Sequence, residues 1–158
     1  MKTAAAVVLL AASLAVPATA HADCGDPDQP PCTGPVPTVD QVTAIMDELT
    51  DPNIPAANKS DIVTPPFDDD LAQKFDSGLN YLRGRGVLPV NFTVTDIQPA
   101  PNTMAGATVS NGRAWHERPG TAPVVLQYQD GHWMITRHTA FTRLYELIRD
   151  GTIPHGAL

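Results

Sequence analysis

Apolar and polar residues alternate most regularly between residues 122 and 137, on either side of Asp130-Gly131. A two-residue Asp-Gly loop between β-forming runs predicts a β-hairpin, because both loop residues tolerate a positive φ. The turn fixes the register, so the predicted facing pairs are Gln129 with His132, Tyr128 with Trp133, Leu126 with Ile135, and Val124 with Arg137. One face of this hairpin should be buried, and it carries Val124, Leu126, Tyr128, Trp133 and Ile135.

Three other stretches repeat apolar residues at the spacing of an amphipathic helix. The first follows Thr38-Val39-Asp40-Gln41, which fits a capping box, and should stop at Asp51 because Pro52 disfavours the α conformation before it. The second covers residues 68–83, where Gly78 would allow close approach, and the third follows the hairpin and ends at Gly151. Their predicted buried stripes are Val39, Val42, Ile45, Met46 and Leu49, then Leu71, Phe75, Leu79 and Leu82, then Phe141, Leu144, Tyr145 and Ile148.

Two further strands are predicted between the second helix and the hairpin. Residues 88–97 alternate until Asp96-Ile97, which indicates a bulge, and residues 103–110 form a weaker strand with Ala105, Ala107 and Val109 inward. Residues 53–66 and 111–123 are interpreted as connections. This order predicts an α+β fold, with helices packed on one antiparallel sheet of about four strands. A cystatin-like or nuclear-transport-factor-like cone, in which a curved sheet wraps a helix, fits that order.

The N-terminus has the pattern of a secretory signal peptide. Lys2 precedes an apolar run, and small residues stand near Ala20 and Ala22. A transmembrane anchor is the alternative, but the run is short for spanning a bilayer. We therefore predict a signal peptide over residues 1–22, a Pro-rich tether over 23–37, a single domain over 38–151 and a tail over 152–158. The protein should be secreted or associated with the cell envelope.

Charge and cysteine content narrow the range of partners. Loss of Lys2 with the leader leaves nine basic residues against 17 acidic ones, a net charge of −8. This charge opposes binding to nucleic acid or to anionic membranes. Cys24 and Cys32 are the two cysteines, and in an exported chain they should form a disulfide. A lipid-modified Cys24 is the weaker alternative, since the residues before it do not fit a lipobox.

Four blocks along the chain resemble the mycobacterial low-molecular-weight secreted T-cell antigen family. They are PTVDQVT at 37–43, LTDPNIP with ANK within 49–59, LPVNFTVTDIQPA at 88–100 and GHWMITR at 131–137. The resemblance extends over most of the chain after the leader and keeps the order of the blocks. It implies a signal peptide, a Pro-rich lead and one small α+β domain, in an antigen with no established biochemical activity. The family supplies no catalytic residues to transfer.

A candidate recognition tip lies in the connection over residues 111–123. Trp115, His116 and Arg118 combine an aromatic ring, an imidazole and a cation, and long connections often carry function. A solvated loop with the Trp115 ring folded onto the sheet is the alternative. On the hairpin, Gln127 and His132 share the mixed face and could also contact a partner.

Catalytic and metal chemistry have weaker support in the sequence. Three adjacent carboxylates at 68–70 suggest a cation site, but a helix start explains them without a ligand. Asp96, Tyr128 and Tyr145 are the available acid–base groups for a cone-shaped pocket, although position on a fold does not establish a site.

The prediction for function is therefore a secreted, non-catalytic binding or interaction module without cofactor or metal, expected to be a monomer. The alternatives are an envelope carrier for a small apolar ligand and an isomerase-like or hydratase-like pocket enzyme.

Overall fold

The computed structural model describes Cys24, residues 29–112 and residues 120–152. The predicted leader, most of the predicted tail and the recognition tip lie outside these residues. Three helices and five strands are present there. In chain order the elements are α1 Val39–Thr50, a 3-10 turn Ala56–Asn58, β1 Val63–Thr64, α2 Asp69–Gly84, β2 Asn91–Ala100, β3 Met104–Gly112, β4 Gly120–Gln129, β5 His132–Thr136 and α3 Arg137–Thr152.

The strands form one sheet in the order β1-β5-β4-β3-β2. The predicted α+β fold with helices against one sheet is confirmed. The strand count was short by one, since β1 lies inside the predicted connection and pairs in parallel with β5, Val63 beside Ile135. A two-residue strand leaves no alternation in the sequence, so its pairing could not be predicted. The cystatin-like or nuclear-transport-factor-like cone stays a prediction.

The hairpin register is confirmed over its first three pairs but not at its base. Leu126 faces Ile135, Tyr128 faces Trp133, and the Asp130-Gly131 turn has φ of +53° and +87°. The predicted pair of Val124 and Arg137 is wrong, because β5 ends at Thr136 and Arg137 begins α3. The pairing of β4 with β3 instead places Val124 opposite Ala107.

The first two helices begin as their capping residues predict. Thr38 and Gln41 form the capping box of α1, and the Asp68 carboxylate accepts the Leu71 amide at the start of α2. Val39 is half exposed and so is not part of the buried stripe, whereas the four apolar residues after it are buried. Gly78 is a point of close approach: a Cβ there would lie 2.9 Å from Cδ2 of Leu144.

The buried face of α3 differs from the prediction. Ala140, Leu144 and Leu147 are buried, while Tyr145 is 70% exposed. Neighbouring helical positions point about 100° apart at 3.6 residues per turn, so Tyr145 faces away when Leu144 packs inward. The helix also continues through Gly151 to Thr152 instead of ending there.

The predicted features of β2 and β3 are confirmed in their interiors. The register of β2 shifts between Thr95 and Gln98, as the predicted bulge requires, and Asp96 has a φ of +52°. The inward residues Ala105, Ala107 and Val109 are buried. The strands around the long connection are longer than predicted, since β3 reaches Gly112 and β4 begins at Gly120. Pairing continues through these polar and small residues, which the hydrophobic pattern does not mark.

Cys24 and Cys32 form the predicted disulfide. No helix in the described part of the chain is long and apolar enough to span a bilayer.

Candidate functional site

The predicted hairpin contacts, Gln127 and His132, lie on one face of β4 and β5, as their register with Met134 and Gln129 shows. The His132 ring is tied to its surroundings: Nε2 lies 3.0 Å from the carbonyl oxygen of Asp61 and Nδ1 lies 3.3 Å from that of Asp130. The imidazole therefore links the hairpin tip to the segment before β1. The other three predicted contacts, Trp115, His116 and Arg118, lie outside the described residues.

The predicted acid–base candidates are not in an enclosed site. Asp96 is in the bulge of β2, Tyr128 is near the end of β4 and Tyr145 is on α3, and all three are exposed. The aspartates at 68–70 belong to the start of α2, where Asp68 is the N-cap. Within the described ranges, no three His, Cys, Asp or Glu side chains are grouped to hold a metal ion.

A surface groove between the end of α1 and the start of β2 is a stronger candidate, and we name it the α1–β2 groove. Its volume is about 580 Å³. Elements from three parts of the chain form it: the C-terminal end of α1 with the turn that follows, the end of α2, and the segment that leads into β2. The lining comprises Asp47, Arg83, residues 50–53 and residues 88–91.

Lys59 supports the α1 side of this groove from beneath. Its side chain is fully buried, and Nζ donates to the carbonyl oxygens of Glu48, Leu49 and Asp51 at 2.5, 3.0 and 3.0 Å. The last carbonyls of a helix have no partner within the helix, and an ammonium group has three donors to offer them. Lys59 thus holds the end of α1 and the turn after it in one geometry.

Burial lowers the pKa of Lys59 below its usual value of 10.5, because an ammonium ion loses hydration in the interior. The carboxylates of Asp51, Glu48 and Asp76 oppose this effect by attracting the positive charge.

Hydrogen bonds fix the polar rim of the groove. One carboxylate oxygen of Asp51 accepts from the backbone N and from Nδ2 of Asn53, at 2.8 and 2.9 Å. On the opposite side, Nη2 of Arg83 donates to Oδ1 of Asn80 at 2.7 Å. The rim therefore holds its charged groups in position before any ligand arrives, which reduces the entropy lost on binding.

The lining combines charge with a small apolar surface. Asp47 and Asp51 contribute carboxylates, Arg83 contributes a guanidinium, and Leu88 and Val90 contribute aliphatic surface. Opposite charges around an apolar patch suit a polar ligand with at least one charged group.

Sequence reasoning did not find this groove. Its residues come from separate segments, and each was interpreted locally as a helix end, a connector or a strand start. Two of the four blocks that carry the family resemblance, 49–59 and 88–100, meet in space here. The available signal was the lysine in the connector between the apolar residues Ile54 and Ile62.

The comparisons with known proteins agree with the resemblance seen in the sequence. Residues 35–147 match the family model described as Low molecular weight antigen MTB12, C-terminal domain. The chain is 37% identical over 109 residues to low molecular weight antigen MTB12 of Mycobacterium bovis and of Mycobacterium tuberculosis. Each match covers 69% of this chain and 64% of the relative, so the chain spans less than two thirds of their length.

A homolog of the same antigen from Mycobacterium leprae is 29% identical over 118 residues, covering 75% of this chain and 70% of that relative. Because the family model matches most of the sequence, from the Pro-rich lead to the last buried leucine of α3, this chain belongs to the low molecular weight antigen MTB12 family.

Proposed function

We propose that this protein is an exported, non-catalytic binding module that takes a polar ligand in the α1–β2 groove. The observation that carries the proposal is the groove itself. Its volume of about 580 Å³ lies within the range of small-molecule sites. Its charged rim is held by the Asp51–Asn53 and Arg83–Asn80 hydrogen bonds, and Lys59 fixes the wall behind Asp51.

Export is supported by the signal-peptide pattern over residues 1–22 and by the disulfide between Cys24 and Cys32, since disulfides persist in oxidising compartments. The relatives' printed names describe antigens and state no catalytic activity. The protein therefore acts outside the cytoplasm, in the medium or at the cell envelope.

The predicted recognition tip lies between the described residues Gly112 and Gly120 and is not itself described. Residues 113–119 join Gly112 to Gly120, and the Cα partner of Gly112 in the sheet is Asn91, which lines the groove. We keep Trp115, His116 and Arg118 as proposed contacts of a partner, on their residue types alone. The hairpin candidates Gln127 and His132 lie on a different part of the sheet, and the anchored ring of His132 favours a structural role for it.

The apolar-carrier and isomerase-like or hydratase-like alternatives have less support. The groove carries charges that an apolar ligand would have to desolvate without compensation. The candidate acid–base groups Asp96, Tyr128 and Tyr145 are exposed on three different elements.

Native mass spectrometry of the mature protein from culture medium, combined with NMR, tests the proposal. A bound polar molecule should appear in the mass spectrum, and adding it to stripped protein should shift the amide signals of residues 50–53 and 88–91. Arg83→Glu reverses a rim charge and should change binding by at least tenfold, making it weaker for an anionic ligand and stronger for a cationic one. Lys74→Glu makes the same charge change at an exposed position on the same helix outside the groove lining, so it should bind normally. Equal binding by both variants would place the ligand elsewhere.

A further inference from the structure

The strand β2 forms one edge of the sheet and pairs only with β3. Every second residue of an edge strand directs its backbone N–H and C=O away from the sheet, where they can pair with another chain. Among the described residues, no backbone hydrogen bond from another segment reaches the outer side of Asn91–Thr95.

The two halves of this edge differ in their protection. The second half carries the bulge at Asp96, with φ of +52°, and Pro99, which has no N–H to donate. Bulges and prolines are common means by which natural sheets prevent pairing at an edge. The first half, Asn91–Thr95, has neither feature and no charged residue, and its register with β3 is regular. In the part of the chain that the structure describes, this half is open to an added strand.

The open half of the edge begins at the α1–β2 groove. Asn91 is both the first residue of β2 and part of the groove lining. A strand added along Asn91–Thr95 would therefore have one end at the groove, where a side chain could enter it. In strand addition of this kind, backbone hydrogen bonds supply affinity and side-chain pockets supply specificity.

The charges at the groove indicate which type of peptide side chain would bind there. Asp47 and Asp51 line it, and the carboxylates of Glu48 and Asp76 act on Lys59 behind it. With Arg83 and Lys59 as the cations, these four carboxylates leave an excess of negative charge. A basic side chain complements that excess, and its ammonium or guanidinium group could pair with Asp47 and Asp51.

We propose that the protein binds an extended peptide segment that adds to the edge of β2 along Asn91–Thr95 and inserts a lysine or arginine side chain into the α1–β2 groove. This inference rests on the proposed function and names the ligand class for the same groove. Pairing of β2 with β2 of a second copy is disfavoured, because each chain without the leader carries a net charge of −8 and like-charged chains repel.

Synthetic peptides test the proposal on the intact mature protein. The probe is an acetylated and amidated heptapeptide, Thr-Val-Thr-Lys-Val-Thr-Val, titrated into ¹⁵N-labelled protein. We expect the amides of residues 91–95 to shift and to exchange more slowly with solvent, together with shifts at residues 50–53. Replacing the peptide lysine by glutamate should weaken binding by at least tenfold. Methylating alternate backbone nitrogens of the peptide should abolish binding, since it removes the donors that pair with the strand.

A pair of charge-reversal variants on one helix separates the groove from general electrostatics. Asp47→Lys should weaken binding of the lysine peptide by at least tenfold and strengthen binding of the glutamate peptide. Asp40→Lys makes the same change at the other end of α1, about 10 Å away along the axis. The affinity of this variant for the lysine peptide should stay within twofold of the wild-type value at physiological salt, where interactions between exposed charges more than about 8 Å apart are largely screened. Both positions are exposed, and an unchanged amide spectrum elsewhere will show that each variant is folded.

Equal affinity for the lysine and glutamate peptides, or undiminished binding of the methylated peptide, would overturn the peptide inference. A third result would do the same: slower amide exchange at residues 91–95 as the protein concentration rises without peptide, which would indicate pairing with a second copy. If no peptide binds but a small polar molecule shifts the groove amides, this inference fails and the proposed function stands. If neither shifts them, both fail.

Discussion

At the scale of single residues, the main features that the sequence hid are buried cations. Lys59 is fully buried and Arg143 is 2% exposed, with its Nη1 2.6 Å from the Glu146 carboxylate. Lysine and arginine are seldom fully buried without partners. The partners of Lys59 are backbone carbonyls, which no side-chain pattern reveals. Periodicity likewise placed Tyr145 inside α3, where the structure buries Arg143 instead.

Replacing Lys59 tests its role as the cap of α1. Lys59→Met keeps the aliphatic stem and removes the donors, so the carbonyls of Glu48, Leu49 and Asp51 lose their partner. We expect a loss of about 2–4 kcal/mol in the free energy of unfolding, since unsatisfied buried groups cost about 1–3 kcal/mol each and these lie near the surface. Chemical denaturation measures this, with Lys74→Met, at an exposed site, as a control expected to change by less than about 0.5 kcal/mol. Similar stability of the two variants would show that Lys59 does not hold the turn.

The pKa of Lys59 also makes stability depend on pH. Its folded pKa lies below the unfolded value, so between the two values the unfolded chain binds more protons and stability rises with pH. The difference in unfolding free energy between wild type and Lys59→Met should therefore widen as pH rises from 7 towards 10.5, as urea titrations at several pH values can show. A narrowing difference would mean that the three carbonyls stabilise the ammonium more than its burial costs, and that the folded pKa is raised.

At the scale of elements, the sequence predicted the features that depend only on residues close together in the chain. The Asp130-Gly131 turn set the register of the hairpin, and Thr38 with Gln41 set the start of α1. The sequence could not place β1 or the α1–β2 groove, because both depend on segments that meet only in the folded chain. The direct passage from β5 to α3 could not be predicted because no turn residue separates the two elements.

Within the hairpin, Trp133 and Tyr128 form a pair with unequal burial. Their ring centroids are 5.2 Å apart, but Trp133 is 7% exposed and Tyr128 is 38% exposed. Trp133→Ala should destabilise the domain by about 3–5 kcal/mol, the usual cost of removing a buried large aromatic side chain.

Tyr128→Ala removes the exposed member of that pair, and should cost about 1 kcal/mol through loss of the aromatic contact. Thermal melts of the two variants compare them directly. If they melt together, the assignment of the buried face to Trp133 is wrong.

At the scale of the whole molecule, the order of elements was enough to predict the fold class. Two helices, a run of strands and a final helix leave few ways to bury the apolar stripes other than one sheet face covered by helices. The location of the α1–β2 groove did not follow from that order. It depends on which polar side chains the packed helices leave at the surface, and this is set by contacts between distant segments such as Lys59 with the end of α1.

The disulfide lies in the Pro-rich segment before the domain, so its effect concerns how that segment is joined to the whole molecule. Cys24 and Cys32 both precede Thr38, the cap of the first helix. Reduction should lower the free energy of unfolding by about 0–1 kcal/mol. This is less than the loss expected for a disulfide in a packed segment, because a cross-link stabilises mainly by restricting the unfolded chain. Calorimetry with and without reductant measures this. A large fall in melting temperature would show that the lead is packed onto the domain.

The burial of Lys59 has a practical consequence for amine chemistry. A chain from which the proposed leader over residues 1–22 has been removed carries two lysine side chains, Lys59 and Lys74. Acylating reagents need an amine that solvent can reach, and of the two only Lys74 is exposed. Dyes, beads and carrier proteins would therefore couple to the folded protein at Lys74 and at the α-amino group of the chain. Because Lys74 is on α2 and does not line the groove, such conjugates would present the groove to solvent.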